Sequence, residues 1–239
     1  MAEQEVIKHT KKIFGLWKTN NPIWHKIADF ALEIFIIVFA ITVSIYFHDR
    51  SELKHQRNET KEFLLGLKED LVTDVEEMKQ DKNSFMQTQK AFTYITSRKL
   101  NETLSPDSIH KYNNWIFNIT GLVPNNGRFE GFKSAGKIGT IENKELQNNI
   151  MDLYQENIPL LIISTDFYTS KKQGLFEYIA LNRKRLTDST SNLLSVLSSD
   201  TAYNICINLT FVNEILTRYD SCISKMNAII SDINKQYKE

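Results

Sequence analysis

The sequence predicts an all-α protein in which one N-terminal transmembrane helix continues into a long helix that packs in a helical-bundle soluble domain. Three observations predict this fold class. The apolar run at residues 27–47 (IADFALEIFIIVFAITVSIYF) has about the length that a helix needs to cross a bilayer core. The chain contains 8 Gly and 4 Pro, which favours long helices over a turn-rich β architecture. Apolar residues also recur at spacings of three and four along most of the remaining sequence.

Residues 1–26 precede the apolar run and form a basic juxtamembrane tail. The tail carries Lys8, Lys11, Lys12, Lys18 and Lys26, together with Trp17 and Trp24. Lysines and interfacial tryptophans beside a span are typical of a cytoplasmic segment. A cleaved signal peptide is the alternative, but the apolar run is too long for its hydrophobic region and no small-x-small cleavage site follows. The sequence therefore predicts an uncleaved anchor.

The orientation of the span depends on the charges at its two ends. The basic tail favours a cytoplasmic N-terminus. Basic residues also follow the span, at Arg50, Lys54, Arg57 and Lys61, and this near balance leaves the opposite orientation open. We expect a single-pass protein of the cell inner membrane, with its N-terminus in the cytoplasm and its C-terminal domain in the periplasm.

Glu33 is the acidic residue that lies deepest in the apolar run. It follows Asp29 by four residues, so both lie on one face near the start of the helix. An acid inside a bilayer indicates an ion or proton site, or a hydrogen bond between assembled helices. The other interpretation places both acids in the headgroup region, where they complement the positive end of the helix dipole. Glu33 is therefore a candidate intramembrane or assembly residue.

Residues 48–100 are predicted to continue the membrane helix, because no helix breaker follows the span. They carry a heptad-like stripe, which consists of Leu64, Leu67, Leu71, Val75, Met78, Lys82, Phe85, Gln89 and Phe92. The stripe would form either a parallel coiled coil between protomers or one face of an intramolecular bundle. Matching helical patterns farther along the chain favour the bundle.

Residues 101–239 are predicted to supply the remaining helices of the bundle. Ser105, with a proline directly after it, begins one helix, and Asn143 caps another. Pro159 is expected to kink or restart the second of these helices. Asp200 is expected to cap a final helix or helix pair.

Residues 125–139 form the most distinctive soluble segment, because they combine several glycines with basic residues. Backbone N–H groups beside these glycines, together with Arg128, Lys133 and Lys137, would suit an anion such as phosphate or a lipid head group, or a partner. The spacing of a P-loop is missing. The alternative is a connection between helices whose apolar residues fill the core, and these residues are Phe129, Phe132 and Ile138.

Composition and motifs argue against several function classes. Lys+Arg and Asp+Glu both number 29, so no net charge attracts nucleic acid. No metal-ligand spacing and no nucleophile–base pair can be recognised, so we expect no cofactor and no enzyme activity. Cys206 and Cys222 would either pair in an oxidising compartment or remain buried thiols, and the lack of a disulfide framework favours thiols.

Two stretches carry a likeness to a known family. The first comprises residues 33–41 (EIFIIVFAI) and 62–71 (EFLLGLKEDL), and the second comprises residues 132–138 (FKSAGKI) and 143–146 (NKEL). Together they resemble a bacterial membrane-protein family that is classed only as a domain of unknown function. Members often have Asn and Trp directly after the span, where this chain has FHDR. The resemblance covers most of the chain from residue 27, implies a single-pass inner-membrane helix with a helical soluble domain, and brings no activity.

These features favour a membrane-anchored helical interaction or scaffold protein. Its partners would be the lipid bilayer and either a second copy of the chain or another membrane protein. The alternative is an envelope sensor domain that binds a small anion or signal near residues 128–139 and signals through a partner. A third hypothesis is an ion-coupled subunit, which would use Glu33 within an assembly of several spans.

Overall fold

The computed structural model describes residues 23–99 and 102–237, with the backbone alone for residues 23–26. Within these ranges the chain is helical and contains no β-strand, which confirms the predicted all-α class. Residues 1–22 of the predicted basic tail lie outside the described ranges.

Helix α1 comprises Ile23–Thr96, and shorter helices follow it. They are α2 (Pro106–Phe117), α3 (Gly127–Ser134), α4 (Lys144–Asp152), α5 (Ile158–Asn182), α6 (Leu193–Leu197), α7 (Asp200–Leu209) and α8 (Asn213–Gln236). A 3₁₀ turn lies at Ile138–Thr140, and a π-helical turn lies at Leu153–Asn157. The chain divides into two compact units, Met1–Asn58 and Glu59–Glu239.

In the first unit, the apolar residues 27–47 lie within α1 and are mostly exposed. None of their most apolar window is buried within the chain, whereas the core helix of a soluble protein would be mostly buried. The hydroxyl of Thr42 donates to the carbonyl of Val38 at 2.8 Å, so this polar group is satisfied within the helix. By length and composition, α1 is therefore able to cross a membrane.

In the second unit, α1 buries the predicted stripe in the bundle core. The apolar members are at most 5 % exposed, and they are Leu64, Leu67, Leu71, Val75, Met78, Phe85 and Phe92. Lys82 Nζ donates to Asp220 Oδ1 of α8 at 2.5 Å. Gln89 Nε2 donates to the carbonyl of Thr210 at 3.0 Å. The stripe is therefore one face of the chain's own bundle, which is the arrangement that the sequence favoured over a coiled coil.

Pro159 restarts a helix after a π-helical turn, as predicted. Helix α4 leads into the turn Leu153–Asn157, and α5 begins at Ile158. In a regular α-helix a proline ring clashes with the carbonyl four residues earlier and offers no N–H group. The wider π turn accommodates both effects.

Two predicted helix starts are confirmed. Ser105 precedes α2, which begins with a proline at its first position. Asn143 precedes α4, and its side-chain oxygen accepts hydrogen bonds from the N–H groups of Glu145 and Leu146 at 3.1 Å. This side chain therefore satisfies two of the N–H groups that a helix start leaves without a partner.

The predicted cap at Asp200 is wrong by one residue. Ser199 is the capping residue of α7, and its Oγ accepts from the N–H of Ala202 at 3.2 Å. Asp200 instead lies in the first turn, where its charge complements the helix dipole. The predicted helix pair itself is present, because α8 follows α7 after a short break.

Cys206 of α7 and Cys222 of α8 are free, buried thiols. Burial raises the pKa of Cys206 to about 12 and that of Cys222 to about 11. Because the thiolate is the reactive form, both residues act as small core side chains. This is the alternative that the sequence favoured over a disulfide.

Candidate functional site

Residues 125–140, which we call the docking segment, contain the candidate anion site. They fold as α3, a turn at Gly136 and the 3₁₀ turn Ile138–Thr140. Gly136 has a φ of 70°, in the left-handed region that residues with a Cβ rarely adopt. This glycine therefore serves the change of chain direction between α3 and the 3₁₀ turn.

The apolar residues of the docking segment pack into the bundle. Phe129 is fully buried and stacks on Tyr154, with the ring centroids 4.3 Å apart. Phe132 stacks on Phe63 of α1, with the centroids 3.9 Å apart. Ile138 is also buried. The segment thus behaves as a connection that fills the core, which is the alternative stated for this sequence.

The side chain of Arg128 crosses α1 over Gly66. Its Nε donates to Asp70 Oδ2 at 2.9 Å. A Cβ added to Gly66 would lie 2.2 Å from the nearest guanidinium nitrogen, so the absence of a side chain there makes room for Arg128. Sequence reasoning missed this contact. The available signal was a glycine inside an otherwise helical pattern, which often marks a close packing contact.

Gly66→Ala is expected to displace Arg128 and break its bond to Asp70. Alanine has a higher helix propensity than glycine, which stabilises the variant by about 1 kcal/mol. This gain offsets much of the stability that is lost with the Arg128–Asp70 ion pair. We therefore expect global stability to change by less than about 1 kcal/mol, while hydrogen exchange in the docking segment becomes faster. Gly174→Ala in α5 is the matched control, because a Cβ there meets open space. Unchanged exchange in Gly66→Ala would contradict the predicted displacement.

The other two candidate cations also meet carboxylates. Lys137 Nζ donates to both carboxylate oxygens of Glu59, at 2.8 and 2.9 Å. Lys133 Nζ lies 3.8 Å from Glu130 Oε2 and 5.6 Å from the centroid of the Phe129 ring. All three candidate cations thus have a carboxylate partner within the chain. Binding of an anion in addition stays a prediction.

The docking segment lies along successive turns of α1. The contacting pairs are Glu59 with Lys137, Thr60 with Thr140, Phe63 with Phe132, Asp70 with Arg128, and Asp74 with Asn125. The C-terminal part of the segment meets α1 near residue 59, and its N-terminal end meets α1 near residue 74. Anything that moved or bound this segment would therefore act directly on α1.

Asp74 is a carboxylate with a relative exposure of 0 %. Both of its oxygens accept from the backbone N–H of Asn125 at 3.2 Å, and Oδ1 accepts from the Asn125 side chain at 2.6 Å. Within residues 23–99 and 102–237, no Lys or Arg forms an ion pair with it. Burial raises the pKa of Asp74, the bonds from Asn125 lower it, and the charges of Glu77 and Asp70 raise it further.

Asp81 lies two helical turns beyond Asp74 on α1. Tyr219 Oη of α8 donates to Asp81 Oδ2 at 3.3 Å. Burial raises the pKa of Asp81 to about 6, although the bond from Tyr219 acts against this shift. The core side of α1 therefore carries carboxyl groups whose negative charge is costly.

Lys172 of α5 is a buried cation, with a relative exposure of 3 %. Its Nζ donates to the carbonyl of Trp115 at 2.9 Å and also to the carbonyl of Asn118. These carbonyls belong to the C-terminal end of α2, where a cation complements the helix dipole. Burial lowers the pKa of Lys172 to about 8. This role could not be predicted from sequence patterns, because the two helices meet only in the folded bundle.

Helix α5 exposes an apolar stripe on one face. Leu160, Ile163 and Phe167 are 46 %, 63 % and 62 % exposed, and their spacing places them on the same side of the helix. Lys171 Nζ lies 4.4 Å from the centroid of the Phe167 ring. Contiguous exposed apolar residues are typical of interaction surfaces.

Glu33, the candidate intramembrane or assembly residue, has a half-buried side chain on α1. Its role stays a prediction. If the carboxyl acts within the bilayer, Glu33→Gln should change the assembly state or an ion-dependent phenotype. If the carboxyl lies in the headgroup region, the substitution should leave both unchanged.

Comparison with family models, with curated proteins and with solved structures gave no match. Within the part of the chain that the structure describes, His, Cys, Asp and Glu form no group of three or more that could hold a metal ion. The family resemblance and the expected lack of enzyme activity stay predictions.

Proposed function

We propose that the protein is a membrane-anchored helical interaction or scaffold module. It crosses the inner membrane once, with its N-terminus in the cytoplasm and its bundle in the periplasm. Its partners are the bilayer and either a second copy of the chain or another membrane protein.

The observation that carries this proposal is the exposed stripe of Leu160, Ile163 and Phe167 on α5. The second unit has a continuous buried core, and the side chains of this stripe are not part of it. Exposed apolar side chains in a row gain free energy when a partner covers them. The membrane-length apolar part of α1 supports the anchoring part of the proposal.

Purification of the full chain from membranes in mild detergent, with light scattering and mass spectrometry, tests the proposal. We expect either a defined homo-oligomer or a stoichiometric membrane-protein partner. Replacing both Ile163 and Phe167 by Glu should abolish the association, because burying two unpaired charges in an interface is costly. The control is Gln173→Glu, an exposed position on the same helix. A partnerless monomer for the wild type would refute the scaffold function.

A sensor domain is the second candidate, and the contacts of the docking segment favour it. Arg128 and Lys137 bind carboxylates of α1, the helix that also contains the apolar residues 27–47. An anion that competed for these cations would weaken their bonds to Asp70 and Glu59. Ligand binding would thereby alter the contacts of α1.

Inorganic phosphate is the probe for the sensor hypothesis. If the site binds anions, phosphate should raise the melting temperature of the full chain more than chloride at equal ionic strength. The triple variant with Ala at Arg128, Lys133 and Lys137 should lose this increase. Lys184→Ala, which removes a cation outside the docking segment, should keep it. Equal stabilisation of the wild type by phosphate and chloride would contradict the sensor hypothesis.

A further inference from the structure

The exposed stripe of α5 has the spacing of a coiled-coil seam. Leu160 and Phe167 are seven residues apart, and Ile163 lies between them at the three–four spacing that such a seam requires. Gly174 continues the series after another seven residues, and a Cβ added there would meet open space. The next position of the pattern holds the charged Glu177, which ends the seam. The apolar seam is therefore short, and its side chains lie open on the outside of α5.

Two exposed charges flank the stripe on opposite sides. Asp166 directly precedes Phe167 and Lys171 follows it by four residues, so the helical period places them on either side of the Phe167 side chain. Both charged residues are exposed, and Lys171 Nζ lies 4.4 Å from the centroid of the Phe167 ring. Neither forms an ion pair with another residue in the ranges 23–99 and 102–237. The stripe thus has an acid on one flank and a base on the other.

The spacing of these two charges selects a parallel second copy of α5 as the partner. In a parallel pair of helices, a residue on one flank of the seam lies opposite the residue five positions farther along on the other helix. Asp166 and Lys171 are five positions apart, so Asp166 of each copy would meet the partner's Lys171. Two-fold symmetry forms this ion pair twice. In an antiparallel pair each flank would face the same flank of the other copy, and acid would then face acid.

We propose that the exposed stripe of α5 is the seam of a parallel homodimer and is covered by the same stripe of a second copy. This inference rests on the proposed function and names the partner. Pairing removes the apolar side chains of both stripes from water, and Gly174 lets the two backbones approach closely. Two copies that are anchored in one membrane by residues 27–47 share one orientation and meet at a raised effective concentration. A short parallel seam is therefore sufficient to hold them together.

Disulfide cross-linking of the full chain in phosphatidylcholine vesicles tests this pairing. Ser170 is exposed and occupies the next seam position after Phe167, so a parallel pair places it across the two-fold axis from the partner's Ser170. Ser170→Cys should therefore form a disulfide-linked dimer on mild oxidation. Lys90→Cys, at an exposed position of α1, is the control and should remain monomeric. The natural thiols Cys206 and Cys222 are buried, so they should not contribute.

Charge reversal separates the parallel seam from chance collision while the apolar residues stay in place. In the Ser170→Cys background, Asp166→Lys alone or Lys171→Asp alone places like charges opposite each other twice. We expect either variant to lower the initial rate of cross-linking by about tenfold. A mixture of the two variants restores both ion pairs, so the mixed dimer, identified by a tag on one variant, should form at close to the original rate. Lys90→Asp should leave the rate unchanged.

The possible outcomes distinguish failure of this inference from failure of the proposed function. A homo-oligomer, or a complex with a different membrane protein, that shows no cross-linking through Ser170→Cys would overturn the parallel seam and leave the scaffold function standing. A partnerless monomer would overturn both. Cross-linking that neither charge reversal slows, or that the mixture of variants fails to restore, would also overturn the parallel seam.

Discussion

Phe129→Ala is expected to destabilise the unit Glu59–Glu239 by about 3–5 kcal/mol. The Phe129 side chain is fully buried and its ring stacks on Tyr154 at 4.3 Å. Its removal leaves a cavity beside a buried tyrosine hydroxyl and detaches the middle of the docking segment from the core. Urea unfolding of the full chain in micelles, followed by circular dichroism, measures the change.

Phe211→Ala is the matched control for this experiment. The Phe211 side chain is 72 % exposed, so its removal creates no cavity. We expect a change within about 0.5 kcal/mol. A loss of less than about 1 kcal/mol in Phe129→Ala would show that α3 contributes little to the core, and that the docking segment is held by its ion pairs instead.

The main architecture could be predicted from the sequence because it rests on local patterns. The spacing of Leu64, Leu71 and Met78 places them on one helix face in any context, and burial of that face follows from the hydrophobic effect. Asn143 caps α4 because its side chain reaches N–H groups only two and three residues away. The error at Asp200 has the same local origin, since Ser and Asp are both good caps and they are adjacent in the sequence.

The candidate site was harder to predict because its contacts join distant parts of the chain. Arg128 is separated from Asp70 by 58 residues, and Lys137 from Glu59 by 78. Spacing in the sequence shows that three cations are close together, and it does not show that carboxylates of α1 bind two of them, Arg128 and Lys137. The burial of Asp74 was also missed, because an acidic residue on a long helix usually lies on the face that contacts solvent.

Lys172→Ala is the second substitution with a large expected effect. We expect the free energy of unfolding to fall by about 2–5 kcal/mol, as it does when other long buried side chains are replaced by Ala. Lys172 is 3 % exposed, and its stem packs in the core. Its ammonium group also caps the end of α2. Lys171→Ala is the matched control on the adjacent, exposed position and should cost less than about 1 kcal/mol.

Lys172→Met separates the two contributions of this lysine. Methionine keeps most of the buried stem and removes the ammonium group. The carbonyl of Trp115 keeps a weaker bond from Thr88 Oγ1 at 3.4 Å, whereas the carbonyl of Asn118 loses the bond from Lys172. The loss of a hydrogen bond is partly offset by the relief of a buried charge, so we expect a cost of about 1 kcal/mol.

The pH dependence of the unfolding free energy, compared between the wild type and Lys172→Met, tests whether the Lys172 ammonium is buried. The folded chain releases the Lys172 proton at a pKa of about 8, and the unfolded chain releases it near 10.5. Between these values the unfolded chain binds more protons, so the wild type gains stability relative to Lys172→Met as the pH rises. Cys206 and Cys222 titrate in both proteins, so their effects cancel in the difference. A difference in unfolding free energy that stays constant across this range would mean that the Lys172 ammonium is solvated, and α2 would then need another source for its C-terminal cap.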